Sequence, residues 1–459
     1  MTIYSTKERQ QEISVRTDLT VAKKSGQRLL GIDIWRGINI MFVISSHLFF
    51  GLLNDWNISI SSMFYNPFIL VFGIFSSVGQ MFFFLSGCSQ VLSMEKQVDS
   101  GKLVDDVVKT EIKRGLFLIL VGTIYDPLVY FDFGIVDTLE CIGLSNIILA
   151  LAYRSILQRR LFVYHEKTDA TRLPKASIRL MLISLVILAI SPLMRVIIGY
   201  PQYAPGIEPL ILAVPPSISQ PITLLQGWLT TSFFPVFPWL AYFFAGGSVA
   251  AGLLAARSGG VVASRLYMKK ILKRGLLLMI VGLAVMAGTS LFGQTALPYW
   301  DQPAWALEMS LNVQPLNTET YVFYWGMSEF AIAVLSIIFD YDHSKKWTRR
   351  IDFVKNKLGM RVVINTWIRF SYLSLTIYIL QYTWIPTLRF IKLFTGIQIM
   401  YMFPQTFFGT LLLFGIVFLA WFIFAAFARW AMNKKHTFEW LLRWVSSLTL
   451  KPIDTRLHD

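Results

Sequence analysis

Apolar runs of about twenty residues recur along almost the whole chain, each long enough to cross a bilayer as a helix. The short stretches between them are, in alternation, strongly basic and nearly free of Lys and Arg. The sequence is 55% hydrophobic with a mean hydropathy of +0.55. Only 15% of its residues are charged, where a soluble domain carries about 25%. The expected class is therefore an all-α, polytopic membrane protein.

The net charge of +15 does not point to nucleic acid, because its distribution follows topology. Lys and Arg concentrate in residues 96–114, 154–179, 257–274 and 345–361, between alternate apolar runs. That is the positive-inside pattern, and it assigns these loops to the cytoplasm. The runs predict about ten spanning helices, near 33–53, 67–94, 114–133, 138–158, 179–199, 228–256, 274–293, 320–340, 363–386 and 406–431. An even number of crossings keeps both termini cytoplasmic, in a multi-pass protein of the cell membrane. Residues 1–30 lack an apolar core and read as a basic cytoplasmic tail rather than a signal peptide. Residues 31–431 form the membrane domain and 432–459 a second cytoplasmic tail. Two prolines in SFFPVFPWLAYFF predict a local kink in the sixth span.

An internal repeat runs through the first eight spans. FFFLSG (82–87) precedes KRGLFLILVG (113–122), and FFAGG (243–247) precedes KRGLLLMIVG (273–282), both at an offset of 160 residues. Further on, GLSNIILAL (143–151) resembles GMSEFAIAV (326–334). The expected halves are about 31–158 and 179–340, running in the same direction, followed by two helices at about 363–431. Parallel duplication of this kind occurs in transporters.

The first span, RLLGIDIWRGINIMFVISSHLFF, carries Arg36 and His47 eleven residues apart. Eleven residues are about three helical turns, so the two share a face some 16 Å apart. Both are costly in lipid and should face a protein interior or a wet cavity. At the offset of 160 their counterparts are Val196 and Ile207, so whatever this face does, the first half does alone. His47 can act as a general base near neutral pH or accept an acyl group. Arg36 can hold a phosphate with paired donors, and Asp33, three residues earlier, can pair with it. Asp33 orienting Arg36, a histidine bonded to a neighbouring helix, and an arginine snorkelling to headgroups are all compatible with this pattern. Glu140 and Glu329 lie deep in apolar surroundings, and Arg369 is a candidate partner for either. Ser86 and Gly87 suit close helix packing. Metal-ligand spacings, a phosphate-binding Gly-rich loop, a dinucleotide fingerprint and a GxSxG elbow are absent from the sequence.

These stretches resemble known membrane acyltransferases. The Arg36-x10-His47 spacing matches the Arg/Lys-x10-His motif of type-3 acyltransferases, and FFFLSG resembles the Phe-Phe-x-Leu-Ser-Gly stretch that follows it. FPVFPWLAYFFAGGSVAAG, FGIVDTLECIGLS and SYLSLTIYILQY (371–382) are similar to the heparan-α-glucosaminide N-acetyltransferase branch and its YeiB-like bacterial relatives. The resemblance covers most of residues 28–385. It implies transfer of an acyl group, usually acetyl, from cytosolic acyl-CoA to an acceptor across the membrane. His47 is then the catalytic histidine, a role carried over from the type-3 motif, with Asp33 and Arg36 beside it. Arg36, Ser86, Lys113 and Arg114 are the candidate residues for acetyl-CoA. The expected partners are acyl-CoA, an extracytoplasmic carbohydrate or other hydroxyl or amine acceptor, the bilayer and a second copy of the chain, with no metal. The competing expectation is a transporter or flippase for a lipid or glycan.

Overall fold

The computed structural model describes residues 29–55, 81–130, 138–158, 172–198, 225, 227–231, 235–292, 318–340, 358–381, 394–396, 407–430 and 437–447. Secondary structure among them is entirely helical. The helices are α1 (Leu30–Asp55), α2 (Met81–Asp99), α3 (Val104–Tyr130), α4 (Thr138–Gln158) and α5 (Arg172–Ile198). A π turn at Gly227–Thr231 is followed by α6 (Val236–Ser258), α7 (Gly260–Phe292) and α8 (Thr318–Phe339). The last are α9 (Leu358–Tyr372), α10 (Ser374–Leu380), α11 (Phe407–Trp430) and α12 (Phe438–Ser447).

Among the described residues, four stretches are long and apolar enough to cross a bilayer unaided: Thr138–Ile156, Arg172–Ser191, Val236–Ser258 and Tyr321–Phe339. A fifth candidate span is broken: Val362–Tyr372 and Ser374–Leu380 pass the same test together but meet at 72°. Large aliphatic side chains stand exposed along α5 (Leu182, Val186, Leu193), α7 (Leu276, Ile280, Leu283) and α11 (Leu412, Leu419, Ile423). Such continuous apolar surface is untenable in water and suits a lipid contact. This is an all-α membrane protein.

The sixth expected span, 228–256, is interrupted where its prolines lie. The π turn precedes it, α6 begins only after Pro235, and Phe237 has non-helical backbone angles. From there α6 is the most enclosed helix, buried almost continuously from Val236 to Leu253. It packs on α2, α4, α5 and α7. Aromatic rings fill the space around it, with Phe83 on Trp239 at 4.5 Å and Tyr242 on Tyr321 at 3.8 Å. Small residues bring α2 and α6 into backbone contact. A Cβ on Gly87 would strike the Phe243 carbonyl, and one on Gly246 the Phe84 carbonyl. Gly87 against Phe243 and Gly247 near Val91 advance together along both helices, so the two run in the same direction.

The contact register recurs. In the α3–α4 hairpin, Gly115 abuts Ile147, Gly143 abuts Ile119, and Gly122 abuts Glu140. In the α7–α8 pair, Gly275 abuts Phe330, Gly326 abuts Met279, and Gly282 abuts Phe323. Offsets of 160 on the first helix and 183 on the second convert each of the first three contacts into one of the second three. These are the offsets at which the sequence segments match.

Two bidentate ion pairs pin helices together. Arg172 donates from Nη1 and Nη2 to the two oxygens of Glu95, each at 2.9 Å, and the Tyr153 hydroxyl adds a bond of 2.7 Å to Oε1. This ties α5 and α4 to α2. In the second half, Arg274 donates from Nε and Nη2 to Glu329, each at 2.6 Å, with Trp325 Nε1 at 2.7 Å. The partner of Glu329 is thus Arg274 and not Arg369. The residue one position before the paired glycine Gly275 sits directly opposite the one before Phe330, which fixes the choice. Glu329 is fully buried, so removing its guanidinium would strand a charge at a cost of about 3–5 kcal/mol.

Beyond the last expected span, where the sequence reads as a tail, α12 forms a ten-residue helix against α3 and α10. Thr437 caps it, accepting the Trp440 N–H on its hydroxyl at 3.2 Å.

Candidate functional site

Among the described side chains, helix α1 carries Asp33, Arg36 and Asn39. Its start is held from a distance: Asp340, just past the end of α8, accepts the Leu30 and Gly31 N–H groups at 2.6 and 3.1 Å. Burial holds that carboxyl above the usual carboxylate range, against the opposing pull of the two N–H groups. Asp33 and Asn39 are buried, and Gly37 lets α1 meet the Trp367 carbonyl of α9.

Arg36 is half-buried and its guanidinium is spread over two other helices. Nε donates to Ser371 Oγ at 3.0 Å and Nη2 to the Ser371 carbonyl at 2.8 Å. Nη1 reaches Ser89 Oγ on α2 at 3.4 Å. One turn along α2, Ser93 Oγ receives Arg114 Nη1 at 3.4 Å and Gln97 Nε2 at 3.3 Å. Arg114 Nη1 also pairs with Glu111 at 2.6 Å, and Lys102 Nζ donates to Gln97 Oε1 at 3.2 Å. Ser89, Ser93 and Gln97 are spaced four residues apart and line one face of α2. Together with Arg36, Arg114 and Lys102 they form a polar seam, about 12 Å from Ser89 to Gln97. It leads from the basic loop 96–114 into the bundle.

The seam sorts the expected site residues. Arg36 and Arg114 belong to it. Lys113 is half-buried next to Arg114. Ser86, also half-buried, makes none of the seam contacts. Ser89, Ser93, Gln97 and Ser371 were missed, although the four-residue spacing of SxxxSxxxQ was a readable signal on α2. His47 lies on the backbone of α1, and its side chain is outside the described residues.

The two halves differ in how they treat the same arginine. At the recurring offsets Arg114 corresponds to Arg274, and Asn146 to Glu329. The first half therefore offers Arg114 no carboxylate at the matching position across the hairpin. Arg114 turns along its own helix to Glu111 and toward Ser93, and its buried Nε has no hydrogen-bond partner among the described residues. Close by, Gln90 donates to the Asn146 carbonyl at 2.7 Å and leaves its own oxygen unpartnered. An apolar groove between α1, α9 and α11, lined by Met41, Trp367, Phe370, Phe418, Leu419 and Phe422, exposes no polar atom among the described residues.

The site is thus a polar seam carrying Arg36, Arg114 and Lys102 within an all-α membrane bundle. The family model described as heparan-alpha-glucosaminide N-acetyltransferase, catalytic, matches residues 28–261, half of the chain, and the chain belongs to that family. It is accordingly a membrane acetyltransferase. The match takes in α1, the whole seam and α6. Among curated proteins none matches the chain.

Proposed function

We propose that this protein takes an acetyl group from acetyl-CoA on the side of the basic loops and delivers it to a carbohydrate hydroxyl or amine on the opposite side. The polar seam carries this reading. Arg36 and Arg114 bring guanidinium donors to one edge of α2, and Lys102 extends that edge to the basic loop. Guanidinium groups suit a diphosphate because they offer paired donors at fixed spacing. The phosphates of the donor then rest against the seam, with Lys113 adding charge and Asp33 orienting Arg36. Ser86, one turn deeper on α2, lies along the path of the pantetheine arm. The thioester reaches on toward His47, about 16 Å beyond Arg36 along α1.

His47 acts as the general base. It takes the proton from the acceptor hydroxyl or amine as that atom attacks the thioester carbonyl. The new C–O or C–N bond forms, the C–S bond breaks, and the proton passes from the imidazolium to the departing CoA thiolate. A route through acetyl-His47 balances equally and leaves CoA as the first product. Ten crossings with both termini on the basic-loop side give the donor and acceptor separate approaches.

The test is release of CoA from acetyl-CoA by purified protein, with and without an envelope-glycan extract. Acceptor-stimulated release by the wild type, lost in a folded His47→Ala variant, is expected. Unchanged release in that variant would remove His47 from the chemistry. The break at Leu373 also suits a transporter, since discontinuous helices line transport sites. On that reading a labelled lipid or glycan crosses the membrane chemically unchanged and no CoA is released.

A further inference from the structure

The break between α9 and α10 sits at Leu373 in a stretch, SYLSLTIYILQ, with neither Pro nor Gly. A helix interrupted at membrane depth exposes backbone carbonyls at the end of one piece and N–H groups at the start of the next. In lipid each must find a partner within the protein. Each side of this break gains a partner from a different element. On the α9 side the Ser371 carbonyl and hydroxyl accept Arg36 Nη2 and Nε at 2.8 and 3.0 Å. On the α10 side the Thr376 N–H donates to Glu439 Oε1 of α12 at 2.9 Å, and the Thr376 hydroxyl donates to Glu439 Oε2. The Phe438 N–H donates back to Thr376 Oγ1 at 2.9 Å, closing a reciprocal clasp.

Arg36 thus has two of its nitrogens on the break, which aims the remaining Nη1 at the Ser89 edge of the seam. A guanidinium is planar, so fixing Nε and Nη2 fixes the direction of Nη1. Ser371 is buried and 335 residues away in sequence. Its carbonyl, which a continuous helix would bond at the Leu375 N–H, goes to Arg36 next to the break. The stop persists because α12 holds the other half of the break.

We infer that Ser371 and Glu439 are positioning residues for the acyl donor: Ser371 orients Arg36 directly, and Glu439, through Thr376, keeps the broken helix in the place that lets it do so. The C-terminal helix α12, outside the matched residues 28–261, is then part of the catalytic unit. This rests on Arg36 being a donor-binding residue, as proposed above.

The experiment measures donor and acceptor KM for Ser371→Ala and Glu439→Ala, each in the wild-type and Arg36→Ala backgrounds, with thermal unfolding as the check on folding. In the wild-type background each substitution raises the acetyl-CoA KM about tenfold, the worth of one charge-assisted hydrogen bond. The acceptor KM stays put and Ser371→Thr restores the donor KM. In the Arg36→Ala background the same substitutions add less than about twofold, because residues acting through one another are non-additive. If Ser371→Ala does not fold, Ser371→Cys, which keeps the volume, takes its place. Wild-type donor KM in both single variants, or equal effects in both backgrounds, overturns the inference. Wild-type protein that neither binds nor turns over acetyl-CoA overturns the donor reading itself, and this inference with it.

Discussion

Arg36 shows what a single residue's sequence context reveals and what it hides. That it lies on the functional helix, facing protein rather than lipid, follows from the cost of a guanidinium in hydrocarbon. Its partners do not follow, because Ser371 and Ser89 are small polar residues in apolar stretches, of a kind that recurs throughout the chain. Only the fold brings them within reach. The fork geometry makes a specific prediction: Arg36→Lys keeps the charge but loses the bonds to both Ser371 atoms. Its acetyl-CoA KM should rise between about tenfold and a hundredfold, from the loss of charge-assisted bonds worth about 1.5–3 kcal/mol. A lysine variant with the wild-type donor KM would mean that charge alone suffices there. His47 is singled out by its spacing from Arg36, and the chemistry of the proposal depends on it.

At the scale of helices the repeat was legible, and so was its register, since matching segments at offsets of 160 and 183 recur as matching helix contacts. The asymmetry inside the repeat was the hidden part. Glu329 locks Arg274, whereas Asn146 leaves Arg114 without that lock. Asn146→Glu should restore the lock, draw Arg114 off the seam and raise the donor KM about tenfold, with unfolding temperature equal or higher. A donor KM unchanged by Asn146→Glu would show that Arg114 does not meet the donor. Packing between α2 and α6 gives a second prediction. Gly87→Ala drives a methyl into the Phe243 carbonyl, so the protein should lose about 1–3 kcal/mol, read as a lower unfolding temperature in detergent. Unaltered thermal stability would contradict so close a crossing. The break at Leu373 was not legible. Its sequence reads as one continuous apolar span, and the interruption is held by Arg36 and Glu439, neither of them local. For the same reason α12 was read as tail: its amphipathic pattern gives no hint that Glu439 closes a gap elsewhere.

For the whole molecule, side-chain exposure in the fold separates lipid-facing from enclosed helices. The aliphatic stripes on α5, α7 and α11 stand exposed while α6 is buried on all sides. The seam ends at Gln97 and Lys102, in the basic stretch 96–114, so the account requires donor and acceptor to meet from opposite sides. Reconstitution in vesicles tests this most directly. Acetyl-labelled CoA is sealed on the side of the basic loops, and an amino sugar or glycan acceptor is supplied on the other. The account predicts label covalently attached to the outer acceptor, CoA retained within, and neither in a folded His47→Ala protein. Label that stays on CoA while intact acceptor crosses the membrane, or transfer only when both substrates share one side, would contradict it.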